Sequence, residues 1–127
     1  MLWWALAAGG ILGSLARYGL SLLQPSMGWP WATFGINLSG AYVLALFLTM
    51  ALERWSLPAA VRLGVGTGFV GSYTTFSTLV LETLHLVVRG HLWEALLYLH
   101  ASVAGGLLLA YAGHQTAMGW IHRRGQI

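Results

Sequence analysis

Residues 64–78 read GVGTGFVGSYTTFST, and this stretch decides how the rest of the chain is organised. It carries no charge, yet it is a poor α-helix. Gly64, Gly66, Gly68 and Gly71 each cost helix stability, and serine and threonine side chains compete for local backbone. The apolar or uncharged region around it runs from about Ala59 to Val88, interrupted only by Arg62 at its start and Glu82 near its end. A continuous helix of that length would be ~45 Å long, against a bilayer hydrocarbon core of ~30 Å. The pattern therefore predicts a break between about Gly71 and Thr75. Inside a membrane a break is tolerated where the freed backbone groups find protein, water or an ion, and breaks of this sort often mark ion sites. A long tilted helix with glycines for close packing fits the same residues, and spacing alone leaves both open.

Three other apolar stretches flank this one, at about 2–23, 31–52 and 92–120. They are joined by an uncharged, turn-like loop, QPSMGWP (Gln24 to Pro30), by a loop holding Glu53, Arg54 and Pro58, and by Arg89-Gly90-His91. With the span at about 59–88 they make an all-α membrane protein of four transmembrane helices, the third broken near its middle. Residues 1–127 then form a single transmembrane domain with almost no soluble part. Composition agrees: 57% of the residues are hydrophobic and 7% charged, where soluble domains carry roughly a quarter charged residues. So little polar surface cannot cover a fold in water. Trp3, Trp4, Trp29, Trp31, Trp55, Trp93 and Trp120 all fall near span ends, the pattern of an interfacial aromatic belt. The N-terminus, MLWWALAAGG, has no charged leader region and no obvious cleavage site, and reads as a retained first span.

Charge and cysteine usage narrow the classes further. Without cysteine there is neither a disulfide nor a thiolate metal site. There is no lysine and no basic run, so nucleic acid is not an expected partner; membrane lipid is. Four spans put both termini and the second loop on one side, with Arg54, Arg62, Arg123 and Arg124. The other side has Arg89, and Arg17 if it reaches the end of its span. This bias favours a cytoplasmic N-terminus but is modest, which leaves insertion in both orientations open.

Several polar residues recur on shared helix faces. Gly9, Gly13 and Arg17 lie at i, i+4, i+8 on the first span, beside Gly10 and Ser14. Small residues at that spacing let helices approach closely, and an arginine on such a face is either an anchor, part of an electropositive vestibule, or a snorkelling span-end charge. On the second span Thr33, Asn37 and Ala41 share a face, with Gly40 next to them. The amide of Asn37 is either interhelical glue or a donor to a dehydrated anion. Thr74, Thr75, Ser77 and Thr78 gather hydroxyls around Phe76. Tyr98, Ser102 and Gly106 repeat at i, i+4, i+8 on the fourth span, where a packing seam would look alike. Glu82 and His85 stand one turn apart; two ligands without a third are a weak metal signal, and a polar pair at the span end is the simpler account. No nucleophile–base pair, phosphate loop or catalytic carboxylate pair is present, so no enzyme is expected.

Taken in order, GGILGSLARY (Gly9 to Tyr18), NLSG (Asn37 to Gly40), GTGFVGSYTTFST (Gly66 to Thr78) with a following LET, and Tyr98 with Ser102 resemble the signatures of the Fluc fluoride channels, also called CrcB proteins. The likeness spans all four proposed helices, and the TTFST core is its most specific part. It implies a passive channel that exports fluoride across the bacterial inner membrane and limits its toxicity. It implies an antiparallel, dual-topology homodimer with two narrow pores at the subunit interface. By the same resemblance Asn37 donates to fluoride and Phe76 offers its ring edge. Ser77, Thr78, Tyr98 and Ser102 form a polar track, and Arg17 is the first-span arginine. The backbone carbonyls of Gly71 and Thr74 would hold a structural Na+ at the dimer centre.

One position departs from that pattern. The family usually has a second phenylalanine three residues after the first, and here that position is Leu79. A leucine has no positive ring edge, so one wall of each pore is weakened. Pairing with an oppositely oriented homologue, with one good pore or as a non-conducting partner subunit, is the variant this implies. A small multidrug-type, proton-coupled transporter is the competing class. It needs a carboxylate within the membrane, and the first span has none. A purely structural subunit is a third, and the hydroxyls around Phe76 argue against it.

Overall fold

The structure, a computed structural model, describes residues 1–24 and 28–124, and the side chain of Arg124 is not among what it describes. Pro25, Ser26 and Met27 of the first proposed turn therefore lie outside the described residues, as does the tail after Arg124. Among the described residues all regular structure is helical. Helix α1 covers Leu2–Ser21 and α2 covers Trp31–Glu53. The third segment begins as α3 (Ala59–Arg62), widens into a π-helical stretch (Leu63–Val70) and closes as α4 (Gly71–Tyr73). After two extended residues α5 covers Phe76–Val88, and α6 covers Leu92–Arg124. Helices Trp31–Glu53 and Leu92–Arg123 are each long and apolar enough to cross a membrane.

The helix boundaries follow from local chemistry. Pro30 and Pro58 stand at the N-caps of α2 and α3, where a missing N–H costs nothing. The Gln24 side chain covers the start of α2: its Oε1 accepts from the Ala32 N–H at 2.7 Å and its Nε2 donates to the Trp29 carbonyl at 3.0 Å. Helix α5 ends at Arg89, and Gly90 takes φ +84°, the left-handed conformation that lets the His91 N–H turn back to the Leu86 carbonyl at 2.9 Å.

Packing divides the chain into two pairs. Helices α2 and α6 run parallel and in contact over most of their length: Leu38 meets Gly105, and Tyr42 meets Gly113. Helix α1 lies against the π-helical stretch. There the backbones nearly touch. A Cβ at Gly9 would collide with the Gly64 carbonyl, and one at Gly13 with the Phe69 carbonyl. The glycines of the third segment therefore do serve close packing. The fully buried side chains are few, Val70 and Tyr98 being the largest, whereas Ile11, Leu12, Leu15, Val80, Leu84, Leu107 and Leu108 face outward. So extensive an outer apolar surface suits lipid or another protein rather than water.

Candidate functional site

The third segment comes apart at two threonines. Gly71 is still helical at φ −63°, ψ −32°; Thr74 turns to ψ 158°, and Thr75 is extended at φ −147°, ψ 125°. In a continuous helix the Thr75 N–H would go to the Gly71 carbonyl. Here it goes to Asn37 Oδ1 of α2 at 2.8 Å. The same amide returns a bond, Asn37 Nδ2 donating to the Thr75 carbonyl at 2.8 Å. Asn37 thus brackets one residue of the interruption from both sides, with one of its two amide N–H donors. Gly40, one turn further along α2, makes room beside it: a Cβ there would collide with the Thr74 side-chain methyl. The NLSG motif is a cradle for the interruption.

Helix α5 restarts from the same point. The Thr75 hydroxyl oxygen accepts from the Thr78 N–H at 3.2 Å, an N-cap, and donates to Thr78 Oγ1 at 2.9 Å. The Thr74 hydroxyl folds back onto the Val70 carbonyl at 3.0 Å. Phe76 and Ser77 point out of the chain, Phe76 with 75% of its surface exposed. Leu79 does not share their direction. It is 4% exposed and packs in the core cluster with Leu86, Ala95 and Tyr98.

One turn along each helix a second polar group assembles. Tyr98 of α6 is completely buried, and its hydroxyl donates to Glu82 Oε2 at 2.7 Å. Thr33 of α2 donates to Glu82 Oε1 at 2.9 Å. Ser102, one turn beyond Tyr98, is buried with its Oγ lacking a partner among the described residues. Thr33, one turn before Asn37 on α2, and Glu82, one turn after Thr78 on α5, thus meet Tyr98 of α6. Polar atoms continue for at least a helical turn within otherwise apolar packing. Arg17 is half-buried on α1 and makes no ion pair among the described residues, where the one pairing is His91 with Glu94 at 3.0 Å. No group of three His, Cys, Asp or Glu side chains gathers there either.

A family model described as CrcB-like protein, Camphor Resistance (CrcB), matches residues 4–114. The chain belongs to the CrcB-like family. It is 49% identical to a protein of Moorella thermoacetica named Fluoride-specific ion channel FluC 2, covering 92% of this chain and 97% of that one. It is 42% identical to the protein of that same name from Geobacillus kaustophilus, covering 92% and 93%. A Thermus thermophilus relative named Fluoride-specific ion channel FluC is 44% identical over 86% of this chain and 89% of its own length. These relatives carry the names of channels and not of enzymes.

Within this CrcB-like chain Tyr98 and Ser102 stand one turn apart on α6, and the structure brings Asn37 to the interruption. It adds three residues that sequence reasoning did not place. Glu82 is no span-end partner of His85: it turns inward to two hydroxyls, while His85 is exposed. Thr33 shares a helix face with Asn37, and that spacing is the sign of it that the sequence carries. Thr75 was one hydroxyl among four, yet it is the residue whose backbone Asn37 holds.

Proposed function

We propose that the chain is a fluoride-specific ion channel, passive and anion-selective, set in the bacterial inner membrane by four spans. The observation that carries it is the Asn37 bracket on Thr75, which fixes a hydroxyl-rich interruption where three helices meet. The names of the relatives supply the ion. Fluoride is compact and costly to dehydrate, so a pore must replace its water with donors held in place beforehand. Amide N–H and hydroxyl groups at Asn37, Ser77, Thr78 and Ser102 are of that kind, Phe76 contributes a positive ring edge, and Tyr98, whose one hydroxyl proton goes to Glu82, walls the track. Because Phe76 and Ser77 face out of the single chain, a pore using them needs a second chain. That supports two pores at the interface of an antiparallel, dual-topology pair.

The broken third span fits a resident Na+ by its chemistry. With the Thr75 N–H diverted to Asn37, the Gly71 carbonyl loses its helical donor, and Thr74 lies outside both helices. Carbonyl oxygens suit a hard cation. Gly71 and Thr74 of each chain would hold the ion, whose charge favours anions nearby. Arg17 adds positive charge on α1. Both a homodimer and a pair with an oppositely oriented homologue satisfy this arrangement. Moorella thermoacetica carries relatives named FluC 1 and FluC 2, so two such chains occur in one organism. Efflux from liposomes loaded with fluoride or chloride tests the proposal: rapid fluoride release with chloride retained is expected from the protein alone. Release only after an oppositely oriented homologue is added would assign the chain to the mixed pair. No fluoride release under either condition would overturn the reading.

A further inference from the structure

We propose that the cleft between the C-terminal ends of α2 and α6 binds an anionic phospholipid, one acyl chain lying in the cleft and its phosphate against Arg54 and Arg123. The cleft measures about 320 Å³ and is lined by Leu46, Met50, Trp55, Thr116, Ala117 and Trp120. That volume is at the lower end of the roughly 300–1,000 Å³ typical of ligand pockets. The lining is almost all carbon. Its one hydroxyl is already engaged: Thr116 donates to the Ala112 carbonyl at 2.8 Å and accepts from the Tyr42 hydroxyl at 3.2 Å. A polar solute therefore has little to hold there, and an alkyl chain has everything it needs.

Two further observations identify the rest of the ligand. Trp55 and Trp120 are both half-exposed, and indoles of this kind settle at the level of lipid headgroups. The cleft then runs from that level towards the hydrocarbon. Arg54 precedes Trp55 directly, and Arg123 follows Trp120 by three residues, one turn along α6. Both arginines are exposed and neither makes an ion pair among the described residues. A phosphate with net negative charge complements them, and a basic site beside a gap between membrane helices suits an anionic headgroup. This site is remote in sequence from the interruption at Thr75, and it does not depend on which ion the chain conducts.

Native mass spectrometry of the full chain in detergent tests it, using equimolar phosphatidylglycerol and phosphatidylcholine with identical acyl chains. Retention of phosphatidylglycerol about tenfold above phosphatidylcholine is expected from two arginines at a headgroup. The double variant R54Q/R123Q, which leaves the packed core untouched, should bring that ratio close to one. A millimolar excess of inorganic phosphate should leave the bound lipid in place, since the chain as well as the headgroup is held. Equal retention of the two lipids by the unaltered protein would overturn the proposal. So would a preference that survives R54Q/R123Q, displacement by phosphate alone, or lipid bound only to chains lacking a second copy.

Discussion

Asn37 holds the interruption through its amide, and in the proposed channel the same side chain would face the ion. Its amide oxygen takes the Thr75 N–H that the interruption frees from the Gly71 carbonyl, and its N–H adds a second bond to the Thr75 carbonyl; a buried unpaired N–H costs about 1–3 kcal/mol. Asn37→Asp keeps the acceptor for the Thr75 N–H, loses the donor to the Thr75 carbonyl and places a negative charge on the proposed anion path. Fluoride efflux should fall by more than about tenfold, the consequence of some 1.4 kcal/mol or more against the ion, and flux near the unaltered level would limit Asn37 to packing. Phe76 and Leu79 make a paired test. Phe76 is exposed in the single chain, so Phe76→Ile should leave thermal stability nearly unchanged while lowering flux. Leu79 is core, so Leu79→Ala should lower stability by about 2–5 kcal/mol, read as an earlier thermal midpoint in detergent. The two effects interchanged between these variants would refute the assignment of one residue to the pore face and the other to the core.

At the level of the elements, the third segment is unusual before it ever reaches Thr75. Its π-helical stretch, Leu63–Val70, is pressed against α1 through glycines, and π-helical turns concentrate at functional sites. Two α1 glycines separate packing from propensity. Gly13→Val would drive a side chain into the Phe69 carbonyl, whereas Gly19→Val meets nothing within 4 Å. Gly13→Val should abolish a monodisperse folded peak in size-exclusion chromatography, and Gly19→Val should leave it intact; equal behaviour would mean the α1 contact is not required. The helices themselves were legible in advance, because apolar runs bounded by tryptophan, proline and glycine mark them directly. The π-helical winding was not, since a glycine row gives one composition to a packing face and to an altered turn. Nor was the bracket, which joins residues 38 positions apart, a separation no local period can show. Glu82 was misplaced because hydropathy sets a carboxylate towards a span end unless its hydrogen-bond partners are known. Those partners, Thr33 and Tyr98, come from two other helices. Leu79 shows the resolution of a helical period. It stands three residues after Phe76, nearly on the same face, and the boundary between core and exterior passes between them.

For the whole molecule the open quantity is orientation, and the charges that set it are few. Arg54, Arg62, Arg123 and Arg124 lie at one end of the proposed bundle, with Arg89 and Arg17 at the other. Loop arginines stay preferentially on the cytoplasmic side, so a chain inserted with its termini inside sends Arg89 across, and the reverse insertion sends the larger group. An antiparallel pair needs both orientations to be populated. Arg89 is the one arginine in its loop, and it is exposed at the C-cap of α5, where its backbone N–H closes the last turn. Arg89→Gln should therefore leave folding intact while removing the main counterweight to a cytoplasmic C-terminus. A reporter fused after residue 127 should be found on both sides of the membrane for the unaltered chain, and shift strongly to the cytoplasmic side for Arg89→Gln. Fluoride efflux from cells should fall together with the minority orientation, because chains of one orientation cannot pair antiparallel. Co-expression of a chain forced into the opposite orientation should restore it. Loss of efflux without a shift in the reporter would place Arg89 in conduction, and a complete shift with efflux unchanged would refute the antiparallel pair.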